Sequence, residues 1–144
     1  MSPVQIHRQT FVVVNYHASV SEEFRGKLKT HHPTAEVIIA DDGLHALTIM
    51  GEREHEINTL ISGVRGVGIG GLSLINMVRR IHPYVAIILT SLGDIPDTPS
   101  ADACLSQPFE PSELLKVISL AERSRAKRIA DIEQVRLAEV ASAG

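Results

Sequence analysis

The sequence encodes an α/β domain: a doubly wound, five-stranded parallel sheet with helices on both faces. Two observations carry this. Short apolar, β-branched runs alternate with segments of helical spacing along the chain. The runs are continuously apolar rather than alternating, which marks strands covered on both sides. Right-handed crossovers then place helices on both faces, with the functional crevice at the carboxyl ends of the strands.

The elements follow in order. Phe11-Val12-Val13-Val14 reads as a buried strand. Ser19 or Ser21 can cap a helix to about His31, with Val20, Phe24 and Leu28 at fourfold spacing. His32-Pro33 stops it. Glu36 to Ala40 is a second strand, and Asp41-Asp42-Gly43 turns into a helix carrying Leu44, Leu47 and Ile49. A third strand runs from about Ile57 to Ser62. A loop rich in glycine follows (Gly63, Gly66, Gly68, Gly70, Gly71), and Leu72 to Ile81 is helical. Val85 to Thr90 is the plainest buried strand. Asp94 to Pro99 holds two prolines and reads as a loop. Ala103 to Ser106 is a short fifth strand. Pro111 suits a first helical position, and no breaker occurs between it and Gly144.

Composition sets bounds on function. At 144 residues the chain is one domain of common size. Three Phe, two Tyr and no Trp leave an aliphatic core. A formal charge of -3 gives no global field for nucleic acid or a membrane. No apolar stretch approaches the ~20 residues of a membrane helix. Met1 to Gln5 shows no basic segment followed by an apolar run, so no secretion signal is expected. The one cysteine, Cys104, excludes an internal disulfide and fits a reducing, cytoplasmic setting. Cys104 is expected to be buried as a small hydrophobe.

Five segments, in order, resemble the receiver domain of bacterial two-component response regulators. Val13-Val14-Asn15-Tyr16 is similar to the first strand with its acidic pair. Ala40-Asp41-Asp42-Gly43-Leu44-His45-Ala46-Leu47 is similar to the second-strand turn. Leu60-Ile61-Ser62 aligns with the strand that ends in the phosphorylated aspartate. Ile88-Leu89-Thr90-Ser91 aligns with the strand ending in Thr or Ser. Leu105-Ser106-Gln107-Pro108-Phe109 resembles the Lys-Pro-Phe segment. The resemblance covers roughly residues 10 to 122. It implies a flavodoxin-like strand order, 2-1-3-4-5.

The departures concern the chemistry. In the family, the acidic pair and the acceptor aspartate hold Mg²⁺, while Thr and Lys grip the phosphoryl oxygens. Here those positions are Asn15, Tyr16, Ser62 and Gln107, and Thr90 alone matches. The aromatic switch position is Cys104. Thr90 and Gln107 also lie about one to one and a half helical turns closer together than their counterparts. The fourth helix is therefore expected to be missing or reduced to a turn. The set implies a pseudo-receiver with no catalytic residues, no metal and no cofactor.

Other readings compete. Gly66-Val67-Gly68-Ile69-Gly70-Gly71 has dinucleotide-fingerprint spacing, with Asp94 downstream, and could serve a nucleotide or small-ligand sensor. Arg65, Gly66 and Gly68 form a possible anion loop at a helix start. Against this, the motif follows the third strand and little chain remains for a second half. Ser62 could be phosphorylated by an unconventional route. His31, His32, His55 and His17 read as surface or loop residues, without ligand spacing. The basic run Arg123 to Arg128 reads as a solvated helix face.

The expectation is thus a receiver-like domain over residues 1–122 and a helical extension over 123–144. It acts through protein contact: with a histidine kinase or other signalling protein, and as a homodimer through Ile118, Ile129 and Ile132. Neither nucleic acid nor a membrane is an expected partner.

Overall fold

The computed structural model describes residues 9–14, 18–64, 70–93 and 100–143. Five parallel strands lie in the order β2-β1-β3-β4-β5. They are β1 (Thr10–Val14), β2 (Glu36–Ala40), β3 (Thr59–Gly63), β4 (Ala86–Ser91) and β5 (Ala103–Ser106). The helices are α1 (Ala18–His31), α2 (Gly43–Glu52), α3 (Gly71–Ile81) and α4 (Pro111–Ala143). The predicted α/β architecture and strand order are both present.

Strand alternation sends successive side chains to opposite faces, so each strand feeds two cores. One core packs Phe11, Val13, Ile61, Ile88 and Leu105 against α1 and α4. The other packs Val12, Val14, Leu60, Ile87 and Leu89 against α2 and α3. Each such aliphatic side chain contributes about 1.5–3 kcal/mol by leaving water.

Local chemistry sets the boundaries. Asp42 caps α2, its Oδ1 accepting from the His45 amide at 2.8 Å. Asn58 Oδ1 accepts from the Thr10 amide at 2.8 Å, so β3 starts at Thr59 and not at Ile57. The first helix begins at Ala18, ahead of both serines considered as caps, and Ser21 is buried within it. The segment between β4 and β5 shows no helix among the described residues, as the short Thr90 to Gln107 spacing predicted.

That last feature corrects the expectation for Cys104. It pairs with Leu89 in the sheet, on the face covered by α2 and α3. No helix of the described residues follows β4 to extend that cover, and Cys104 is exposed.

Glycine matters most at the start of α3. A Cβ on Gly71 would stand 1.8 Å from the Gly63 carbonyl oxygen. The Gly71 amide donates to the Val64 carbonyl at 3.0 Å, and the Val64 amide donates to that of Thr90 at 3.0 Å. Only a residue without a side chain lets α3 approach β3 this closely.

Candidate functional site

Two clusters lie at opposite ends of the sheet. At the carboxyl ends, Ser62 closes β3 beside Val14 and Leu89, and Thr90 sits beside Gly63 and Leu105. Both hydroxyl residues are buried, Ser62 completely. Ser62 Oγ donates to the Gly63 carbonyl at 3.2 Å. Thr90 Oγ1 reaches toward the Ser62 carbonyl at 3.5 Å, a marginal hydrogen bond. Both hydroxyls are turned onto backbone carbonyls of β3. Gln107 follows β5, its amide donating to the Ser91 carbonyl at 2.7 Å. The structure therefore brings Ser62, Thr90 and Gln107 to one end of the sheet. Asn15 and Tyr16 lie outside the described residues, as do Arg65, Gly66 and Gly68 of the possible anion loop.

The carboxylates nearest this end do other work. Asp42 caps α2, and Asp41 is exposed beside His45 at 3.5 Å. Among the described residues no group of three His, Cys, Asp or Glu could hold a metal ion. A hard divalent cation needs anionic oxygens. The neutral, buried Ser62 does not fit that need, so no step through Mg²⁺ is derived.

The amino ends of the strands are different. Asp102 precedes β5 with its side chain 3% exposed. Its Oδ2 accepts from Arg79 at 2.6 Å and from the Ile87 amide at 2.8 Å. Its Oδ1 accepts from Ser124 and from Arg128, each at 2.6 Å. Arg128 also donates to the carbonyls of Pro83 at 2.6 Å and Val85 at 2.9 Å. Arg79 donates to the carbonyls of Ser100 at 3.0 Å and Val85 at 2.9 Å. Arg125 adds a hydrogen bond to the Tyr84 carbonyl. One carboxylate thus joins α3, β4, β5 and α4.

Burial alone would raise the Asp102 pKa. The hydrogen bonds from Arg128, Ser124 and the Ile87 amide, with the charge of Arg79, outweigh it and hold the carboxyl below its ordinary range. Burial pulls Arg79 below its ordinary value, the like charge of Arg128 adds to this, and Asp102 opposes both. A guanidinium still stays charged at neutral pH.

This hub corrects one expectation. Arg125 and Arg128 are not a solvated face; they are half-buried and bound to the body. Helix α4 also runs unbroken through residues 122 and 123, and its contacts with the body persist to Arg128. The sequence did hold a signal for the hub. Ser124, Arg125 and Arg128 continue the buried stripe Leu114, Val117, Ile118, Ala121 at helical spacing. Polar groups on a buried stripe need partners.

Ile118 is a further correction. It is 3% exposed in the core against β-strand residues, so it cannot belong to an association surface. Ile129 and Ile132 lie farther along α4 and are half-buried. Beyond them Val135, Leu137 and Val140 are exposed at 59%, 65% and 66%.

No protein-family model matches the chain, and no curated protein does. Solved structures do match. A response regulator receiver domain protein from Clostridium thermocellum superimposes with a TM-score of 0.73 at 18% identity, over 82% of this chain and 97% of that one. The signal receiver domain of an HD domain-containing protein from Pseudomonas fluorescens gives 0.71 at 21% identity, over 83% and 98%. The Vibrio cholerae chemotaxis protein CheY4 gives 0.69 at 22% identity, over 78% and 97%. The fold of this chain is therefore that of the response regulator receiver domains, built without an aspartate at the end of its third strand.

Proposed function

We propose that this protein is a phosphorylation-independent receiver-like module, not an enzyme, that works by protein contact in two-component signalling in the cytoplasm. Its partner is a histidine kinase or another signalling protein, and it self-associates through the free part of α4. The observation that carries the reading is Ser62: fully buried at the acceptor position, neutral, and hydrogen-bonded to its own backbone. Among the described residues, no group of three His, Cys, Asp or Glu is placed to hold a metal ion. No helix of the described residues is long and apolar enough to cross a membrane.

The test is phosphoryl transfer. With acetyl phosphate and Mg²⁺, the expected result is no stable incorporation by intact mass. Stoichiometric incorporation at the carboxyl end of the sheet would overturn the reading. Association is read separately by light scattering of the full chain and of a chain ending at Arg128. The full chain is expected at twice the monomer mass and the shortened one at the monomer mass.

A further inference from the structure

Helix α4 is 33 residues long, or about 50 Å at 1.5 Å per residue. Its last hydrogen bonds to the body among the described residues are those of Arg128. About 22 Å of helix therefore projects past the amino end of the sheet. The stripe that faces the body does not turn polar there. Ile132 and Val135 follow Arg128 at the next two helical positions, and Val135 is 59% exposed. A lone helix in water gains nothing from such a stripe.

The charges on this helix are segregated. Residues 123–128 carry Arg123, Arg125, Lys127 and Arg128 with no acid, while residues 129–143 carry Asp131, Glu133 and Glu139 against Arg136. Arg125 and Arg128 are engaged by the body. Arg123, Lys127, Asp131, Glu133 and Glu139 make no ion pair among the described residues. A parallel pair of helices would set the basic segments together and the acidic segments together. An antiparallel pair sets each basic segment against its partner's acidic one, and it also opposes the two helix dipoles. The two segments centre near residues 126 and 135, which puts the crossing point close to Ala130.

We infer that the occupant of this helix is a second copy of the chain, paired antiparallel with residues 123–138 of the two copies side by side. This rests on the self-association proposed above and adds its geometry. A twofold axis passes near Ala130, and the acidic ends reach back along the partner's basic turns. Such an interface is isologous and closes at two copies.

Spin labels distinguish the arrangements. In a Cys104→Ser background, single labels go at Ala130→Cys or Ala141→Cys of the full chain. Antiparallel pairing gives a short distance for Ala130, about 10–15 Å including helix separation, and a long one for Ala141, about 30–35 Å. Short distances at both positions would overturn the orientation while leaving a dimer. A monomer mass would overturn both the dimer and this inference, yet leave the phosphoryl-transfer result untouched. Glu133→Lys with Glu139→Lys is expected to weaken association roughly tenfold, and added Arg123→Glu with Lys127→Glu to restore it. Unchanged affinity in the double variant would exclude charge as the orienting force.

Discussion

The two ends of the sheet contrast in how they treat charge. At the carboxyl ends, where the related fold carries its chemistry, the strands finish in Ser62 and Thr90, neutral and bonded inward. At the amino ends, Asp102 gathers Arg79 and Arg128 and ties the long helix to the body. Polar side chains inside a fold are retained where they have partners. Here the buried, partnered charges belong to the end that anchors α4, while at the carboxyl end the buried polar side chains among the described residues are the hydroxyls of Ser62 and Thr90. The architecture is held by packing of the two cores, which do not depend on the residues at either end of the sheet.

The contrast can be broken most directly at Asp102. Asp102→Asn removes the charge that Arg79 and Arg128 share, and is expected to cost about 3–5 kcal/mol by urea denaturation. Acid gives the same test another axis. The folded-state pKa of Asp102 is depressed, so its contribution is fully present above the ordinary aspartate value of about 3.9 and is lost as pH falls through the folded value. The stability gap between wild type and variant should hold through neutral pH and close below about pH 4. A gap unchanged in acid would mean that the cost was steric.

Next in size is Gly71→Ala. The new Cβ meets backbone atoms of Gly63 and Val64, which cannot rotate away, so a loss of about 1–3 kcal/mol is expected. Tolerance of alanine there would show that the start of α3 can withdraw from β3. Ser62→Asp should take up no phosphoryl group from acetyl phosphate and Mg²⁺, because one carboxylate does not restore a pattern whose other positions in the sequence read Asn15, Tyr16 and Gln107. Uptake would show that the carboxyl end lacks a single group. The smallest effect belongs to Cys104. Cys104→Ser should change stability by no more than about 0.5 kcal/mol, and the native thiol should react with a thiol reagent without denaturant.

Much of this molecule was legible from the sequence, for identifiable reasons. Continuous apolar runs such as Val85 to Leu89 have few alternatives to a buried strand, and the parallel sheet followed from them. The short segment before β5 signalled that no full helix would stand there, and none does among the described residues. Its consequence, an exposed Cys104, was missed because exposure depends on which neighbour covers a face and not on residue type. Ser62 and Thr90 were placed correctly because strand ends converge by topology alone. Asp102 was missed: the buried stripe of α4 announced that Ser124 and Arg128 need partners, but the partner lies 22 to 26 positions away and is brought there by the fold. Ile118 was misplaced because an apolar position looks the same whether it meets its own sheet or a partner.

The unbroken course of α4 has a mechanical consequence. From Pro111 to Arg128 the helix spans about 26 Å, and from Arg128 to Ala143 about 22 Å. Arg128 is thus a fulcrum with nearly equal arms, one lying along the body and one outside it. No glycine or proline interrupts the rod after Pro111, so it has no built-in hinge. The inner arm is held in the core by Leu114, Val117, Ile118 and Ala121, so a load on the outer arm would be passed as force along a rigid rod whose far end starts just after Gln107 and β5. The lever joins the two ends of the sheet.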